Sequence, residues 1–232
     1  MASSFLDAVQ PLSPEFDASR SCFRRNGVIQ SGLLPTLRAV FFPTYLHRKS
    51  HSRSSGPRFA VEKSRGIRVH TQLAALCDIG TPPSDLLARQ IVASLNSRGI
   101  RLIACEVAIC DPDTHVATAI DAVGEDTWGR VVIIEFKAGY QNSTYGHGPL
   151  INLEGSVIPS TALNHAMLQL GMTRAILREK YHVDAHQYLL IVSNGKGVTL
   201  RALPAWTNKL TCEQLKLRWT KPNHATVKPK IT

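Results

Sequence analysis

The pattern of apolar and polar positions is irregular before Glu62 and becomes regular after it. Two segments with helical spacing each begin at a serine, which favours the helix N-cap, and the second ends just before Gly99. Apolar runs bounded by turn signals then follow, which is typical of strands. The predicted elements, in chain order, are two helices (64–77, 84–98), three strands (100–110, 114–123, 130–137), a helix (162–181), two strands (187–192, 198–202) and a C-terminal helix (211–219).

This order of elements predicts an α/β (α+β) fold in which a mixed sheet of about five strands is flanked by helices. A segment rich in Gly, Asn and Ser, from 139 to about 159, is predicted to be a loop, either an ordered flap or a mobile lid over a site. Residues 193–197 read Ser-Asn-Gly-Lys-Gly and predict a compact hairpin. The ordered domain is therefore predicted to span 62–204, with a helix and a basic tail over 205–232.

The first 61 residues differ from the rest of the chain. They show no periodicity beyond a short apolar segment around 33–46, and the stretch from Ala18 to Val61 has eight Lys or Arg and no acidic residue. This composition predicts a basic, disordered N-terminal segment. Three roles stay open for it: an organellar transit segment, a flexible arm that contacts phosphates, or a tail with no specific role.

The charge of the chain indicates the kind of partner. Of 232 residues, 27 are Lys or Arg and 17 are Asp or Glu, which gives a net charge of +10. Such an excess favours a polyanion, with nucleic acid first and an anionic membrane surface second. The sequence has no apolar run long enough to cross a bilayer. Its five cysteines form no Cys-x-x-Cys pair, which argues against a zinc knuckle and favours a reducing compartment.

Acidic residues at the edges of the predicted strands form the candidate chemical site. Glu135 and Lys137 lie two residues apart on a strand, so they share a face while Phe136 turns into the core. A hairpin through residues 124–129 would fold either Asp113 or Asp121 back towards that pair. Carboxylates gathered around one ammonium group suit a hard divalent cation and a polarised water molecule.

Five stretches of sequence resemble the PD-(D/E)XK nuclease superfamily, in which Pro-Asp is followed by Glu-x-Lys. Within that superfamily the chain looks most like the conserved herpesvirus nuclear protein family that carries endonuclease motifs, over roughly residues 62–203. The resemblance implies a restriction-endonuclease-like core. The stretches are Gly66-Ile67-Arg68-Val69-His70-Thr71, Ile103-Ala104-Cys105-Glu106-Val107, Pro112-Asp113, Val132-Ile133-Ile134-Glu135-Phe136-Lys137 and Gln169-Leu170.

The resemblance also implies roles for individual residues around one or two Mg2+ or Mn2+ ions. The expected metal ligands are Asp113, Glu135, the Phe136 carbonyl and Glu106, with Asp121 as the fallback carboxylate. Lys137 would orient the attacking water or stabilise the transition state as a point charge. Gln169 would contact Lys137, the water or a phosphate. Arg68 and His70 would lie near the site, and Arg174 and Arg178 would contact nucleic acid. An iron–sulfur cluster is not expected, since Cys212 is the only cysteine downstream of these motifs.

The function implied is metal-dependent hydrolysis of phosphodiester bonds, with DNA as the expected substrate and RNA as the alternative. The family implies a location in the host nucleus or nucleolus, host nuclear proteins as partners, and disturbance of the cell cycle. Three other interpretations stay open: a regulatory or nucleic-acid-binding protein that keeps the fold without cleaving, a cellular RecB-like exonuclease, and a basic assembly protein. Whether cleavage is endonucleolytic or exonucleolytic is also left open.

Overall fold

The structure, a computed structural model, describes residues 2–42, 57–138, 150–153, 156–193 and 197–220. The basic run over 47–55, most of the segment predicted to be a flap or lid, the turn at 194–196 and the basic tail from 221 lie outside the described residues. Among the helices that the structure does describe, none has the length and apolar character needed to cross a bilayer.

The described chain contains six α-helices and ten strands. The helices are α1 (Ala2–Val9), α2 (Leu33–Phe41), α3 (Pro57–Ile79), α4 (Leu86–Asn96), α5 (Ala162–Lys180) and α6 (Glu213–Thr220). The strands are β1 (Glu15–Asp17), β2 (Cys22–Arg25), β3 (Val28–Gly32), β4 (Arg101–Asp111), β5 (Val116–Glu125), β6 (Val131–Ala138), β7 (Leu150–Leu153), β8 (Ser156–Pro159), β9 (His186–Ser193) and β10 (Gly197–Ala202). Short 3-10 helices span Gln10–Leu12 and Ala205–Lys209.

The predicted fold class is confirmed, because a mixed sheet is flanked by helices. Strands β4, β5 and β6 are antiparallel neighbours, β6 pairs in parallel with β9, and β10 completes the series antiparallel to β9. The predicted elements after residue 62 appear in the predicted order. One addition is the hairpin β7–β8, which lies within the segment that was predicted to be a loop.

Some boundaries differ from the prediction. Helix α3 begins at Pro57, seven residues before the predicted cap at Ser64, and proline is well tolerated in the first turn of a helix. Helix α4 is capped by Asp85 instead of Ser84, since the Asp85 carboxylate accepts the backbone N–H of Leu87 at 2.8 Å.

The prediction of a disordered N-terminal segment is wrong for residues 2–42. Strands β1 to β3 form an antiparallel meander that extends the sheet, and Ser31 of β3 pairs in parallel with Val116 of β5. Helices α1 and α2 bury apolar side chains, among them Phe5 and Leu37, in the main core. Although the segment is polar in composition, each of these short helices has an apolar face, and burial of that face in the core orders the segment.

Two hydrophobic cores lie on either side of the central strands. One joins α3 and α4 to the sheet through side chains such as Leu73, Ile91 and Ile134. The other joins α1, α2, α5 and α6 to the opposite face through side chains such as Leu170 and Ile133. The sheet is therefore covered on both faces, and a polar side chain on β5 or β6 is removed from bulk water unless it lies at a strand junction.

Candidate metal centre

The candidate site forms where strands β5 and β6 separate. They pair from Glu125–Val131 to Ala122–Ile134. Two positions beyond Ile134 on β6, a backbone amide bonds to a side chain in place of the β5 backbone. The backbone N–H of Phe136 donates to the carboxylate of Asp121 at 2.8 Å. Asp121 thus fills the gap between the diverging strands and lies beside the Glu-x-Lys sequence of β6.

Glu135 is the most buried charged group of the site, with 3% of its surface exposed. Lys137 donates to one carboxylate oxygen of Glu135, as expected for residues two apart on a strand. The side-chain amide of Gln169, from α5, donates to the other oxygen at 3.3 Å. The predicted pairing of Glu135 with Lys137 and the approach of Gln169 are both present in the structure.

Burial and mutual repulsion hold the two carboxylates in an unusual ionisation range. Burial, followed by the negative charge of Asp121, raises the pKa of Glu135 to about 7. Burial also raises the pKa of Asp121, although Lys137 and His70 oppose that shift. The buried Glu135 and the half-buried Asp121 both resist ionisation, and an added cation stabilises the charged form of each.

A histidine–glutamate pair borders these carboxylates from the neighbouring elements. His70 of α3 and Glu106 of β4 approach to 2.6 Å between Nδ1 and Oε1. This hydrogen bond is the main cause that raises the pKa of His70, and burial opposes it. Glu106 has a left-handed backbone (φ 53°), a strained conformation of the kind that concentrates at functional sites.

The donors from three elements converge tightly enough to hold one metal ion. His70, Glu106 and Asp121 each offer one ligand atom, and these atoms lie within 4.8 Å of one another. Carboxylate oxygens are the preferred ligands of Mg2+ and Mn2+, and one imidazole nitrogen in such a set favours Mn2+ over Mg2+. The donor chemistry therefore fits the expected ion, and the buried carboxylate of Glu135 adds negative charge beside it.

Removing the imidazole is expected to weaken Mn2+ binding more than Mg2+ binding. We expect His70→Ala to lower Mn2+ affinity by about 10- to 100-fold, because both a nitrogen donor and the partner that orients Glu106 are lost. Calorimetric titration with each ion measures the effect. His186→Ala, at an exposed histidine on β9, is the control and should bind both ions as the parent does. Equal losses for both ions would contradict a ligand role for His70.

The prediction that Asp113 joins Glu135 and Lys137 is wrong. Asp113 lies in the turn between β4 and β5, is exposed, and pairs with Lys180 at 2.7 Å. The buried Asp111 accepts the backbone N–H of Asp113 at 3.2 Å, which is ordinary turn chemistry. From this turn, the length of β5 down to Asp121 is roughly 17 Å. Asp121, the fallback carboxylate, occupies the expected position instead.

A signal for Asp121 is present in the sequence. A tight turn near Trp128 brings Asp121 and Glu135 opposite each other, since they lie seven residues before and seven after it. Counting residues outward from the turn of the β5–β6 hairpin selects Asp121, whereas matching the Pro-Asp motif selects Asp113.

The predicted arginines pair with acidic residues that are not among the metal donors. Arg68, on α3, bonds to Asp85 at 2.9 Å at the start of α4. Arg174 bonds to Asp184 at 3.1 Å, and Arg178 bonds to its neighbour Glu179 at 2.9 Å. Each guanidinium thus has a carboxylate partner, and a role in contacting nucleic acid stays a prediction for Arg174 and Arg178.

No family model matches the sequence, and no curated protein matches it. Among solved structures, the chain is similar to one described as "Crystal structure of SSO0001". The two share 11% sequence identity over 79% of this chain and 71% of that chain, with a TM-score of 0.36. A likeness of that size identifies neither a family nor an activity, so a function has to be argued from the site itself.

Proposed function

We propose that the protein is a metal-dependent nuclease of the PD-(D/E)XK type in which Asp121 supplies the carboxylate of the Pro-Asp motif. The observation that carries this proposal is the placement of Asp121, Glu135 and Lys137 on two adjacent strands at the point where those strands separate. Two carboxylates against one ammonium group leave an excess of negative charge at this junction, and burying that charge is costly unless a cation binds there.

Each residue of the site has a separate role in the proposed reaction. Asp121, Glu135 and the Phe136 carbonyl would hold a Mg2+ or Mn2+ ion, and Glu106 with His70 would complete its ligands. A bound ion of this kind lowers the pKa of a water molecule and neutralises charge on a phosphate. Lys137 would act as a point charge that positions the water next to the scissile phosphate.

Gln169 has a positioning role. It holds the second oxygen of Glu135 and so keeps the buried carboxylate in one rotamer, leaving Lys137 to restrain the other oxygen. A carboxylate held at both oxygens presents one fixed geometry to an incoming ion. Reorganisation during binding is thereby reduced.

The substrate and the setting follow from charge and from the motif resemblance. A net charge of +10 supports a polyanionic substrate that is contacted through its phosphates. Resemblance of the five motifs to the herpesvirus nuclear protein family supports action in the host nucleus or nucleolus, alongside host nuclear proteins. DNA is the substrate we propose, and RNA is the alternative to be tested beside it.

One assay tests the proposal. Purified protein is incubated with end-labelled linear, nicked and closed circular DNA, and with RNA, each with and without Mn2+ or Mg2+. We expect cleavage only with a divalent ion, and linearisation of closed circles if attack is internal. Lys137→Ala should abolish cleavage but retain binding, while Lys216→Ala, at an exposed lysine paired with Glu213, should cleave normally.

Each of the other outcomes of this assay would count against the proposed function. Digestion of linear DNA that spares closed circles would indicate an exonuclease. Nucleic-acid binding and metal binding without cleavage would indicate a regulatory protein that keeps the fold. Undiminished cleavage by Lys137→Ala would remove the proposed site from the reaction.

A further inference from the structure

Two cysteines face each other next to the candidate metal centre. The sulfur atoms of Cys77, on α3, and Cys105, on β4, lie 3.7 Å apart. Both residues are half-buried, and neither is bonded to another cysteine. A disulfide bond is about 2 Å long, so the two sulfur atoms need to approach by less than about 2 Å to become bonded. The proposed nuclease reaction uses neither thiol.

The position of the pair relates it to the site. Cys77 lies seven residues after His70, and residues seven apart lie on the same face of a helix. Cys105 directly precedes Glu106 on β4. The two elements that contribute the histidine–glutamate pair are thus in contact a second time through their thiols.

Solvent reaches this region through an open cavity. It is lined by residues of α3 and by Glu106, and it includes Asp78. Asp78 and Glu106 are the sequence neighbours of the two cysteines. The cysteines do not line the cavity themselves, but both are half-buried, so each keeps part of its surface exposed beside this opening.

We propose that Cys77 and Cys105 are a redox modification site that forms an intrachain disulfide under peroxide. The Cys77 thiolate attacks one oxygen of hydrogen peroxide, the O–O bond breaks, and hydroxide leaves and is protonated to water. Cys77 is then a sulfenic acid, and the sulfur of Cys105 attacks it. The S–S bond forms, the sulfenic oxygen leaves with the Cys105 proton as a second water, and the two sulfurs have lost two electrons to the peroxide.

The two thiols are suited to different steps. The hydrogen bond with Cys105 lowers the pKa of the Cys77 thiol. Cys77 is accordingly the group that reacts first, since the thiolate is the nucleophile. Cys105, which packs against the core formed with α3 and α4, lies 3.7 Å away and serves as the resolving thiol.

A disulfide at this position would tie α3 to β4 and so restrict how far His70 can move relative to Glu106. This expected effect on the metal centre rests on the proposed function. We expect oxidised protein to bind Mn2+ with an affinity different from that of the reduced protein, and the difference to disappear in Cys77→Ser. Equal Mn2+ affinity in the two redox states would show that the disulfide does not act on the metal centre.

The disulfide itself is tested on the full chain without metal or nucleic acid. Protein is treated with hydrogen peroxide, remaining thiols are alkylated, and peptides are mapped by mass spectrometry. We expect a peptide that joins Cys77 to Cys105 and carries two hydrogen atoms fewer, which dithiothreitol reverses. Cys105→Ser should leave Cys77 as a sulfenic acid that dimedone traps. Cys22→Ser, at another half-buried cysteine, should still form the disulfide.

Two results would contradict the disulfide proposal. Alkylation of both Cys77 and Cys105 after peroxide treatment, while Cys22 is oxidised, would overturn the proposal. A disulfide from Cys77 to a second chain would also overturn it. Detection of the disulfide needs neither cleavage nor metal. Failure of the nuclease proposal would therefore leave the disulfide proposal unaffected, and failure of the disulfide proposal would leave the nuclease proposal unaffected.

Discussion

Asp121→Asn is expected to reduce metal-dependent cleavage by about a thousandfold. Asparagine has nearly the shape of aspartate and can still accept the Phe136 N–H, so the junction of β5 and β6 should be preserved. It lacks the negative charge that the metal ion and the charge balance of the site require. The loss is measured as the initial rate of DNA cleavage at saturating Mn2+, with the melting temperature as a check on folding.

Asp113→Asn is the matched control for this experiment. It changes the aspartate of the literal Pro-Asp motif, which lies in the β4–β5 turn and pairs with Lys180. We expect cleavage within about twofold of the parent and at most a small loss of stability, as is typical of an exposed ion pair. If Asp113→Asn abolished cleavage while Asp121→Asn did not, the assignment of the carboxylate would be reversed.

The second large effect is on stability as a function of pH. The free energy of unfolding of the metal-free protein is expected to fall as the pH rises from about 5 to 8. Glu135 has a pKa of about 7 in the folded state against an ordinary value of 4.5. Each pH unit of such a difference corresponds to about 1.4 kcal/mol, so Glu135 alone contributes a fall on the order of 3 kcal/mol.

The direction of the change follows from which state holds the proton. Between pH 4.5 and 7 the unfolded chain releases the Glu135 proton while the folded protein retains it, so rising pH favours unfolding. Asp121 also has a raised pKa and acts in the same direction. His70 has a raised pKa, so its protonated form stabilises the fold, and that stabilisation is lost as the pH rises through its folded value. All three groups thus lower stability as the pH increases.

Denaturant titrations at several pH values, with and without Mn2+, measure the effect. Glu135→Gln should make the pH dependence shallower and raise the stability of the metal-free protein at pH 8, because the most buried carboxylate of the site no longer has to ionise. Added Mn2+ should stabilise the parent at pH 8 and have little effect on Glu135→Gln. A parent protein whose stability rises from pH 5 to 8 would contradict a buried, ionisation-resistant Glu135.

Sequence patterns predict some parts of this chain better than others, for a physical reason. Strands β4 to β6 and helix α5 were predicted within a few residues, because their apolar runs are long and their caps are local. The cap of α5 is one example, since Thr161 accepts the backbone N–H of Asn164 at 3.0 Å. Such signals involve residues close in sequence and are visible without a structure.

The N-terminal segment was missed because its elements are short and depend on distant partners. Strand β3 pairs with β5 through only two of its residues, Ser31 and Gly32. These pairs form only once the central sheet exists. Helix α1 has eight residues, too few to be stable by itself in water. Composition indicated disorder, whereas packing against the main core determines the structure.

Sequence alone determined the order of the central elements and the pairing of Glu135 with Lys137, because both depend on the two-residue repeat of a strand. Tertiary structure decided which aspartate joins them. The register of the β5–β6 hairpin brings Asp121 beside Glu135 and carries Asp113 to the far end of the same strand. Strand register is a non-local property, set by how side chains from separate elements pack, and a short motif such as Pro-Asp cannot specify it.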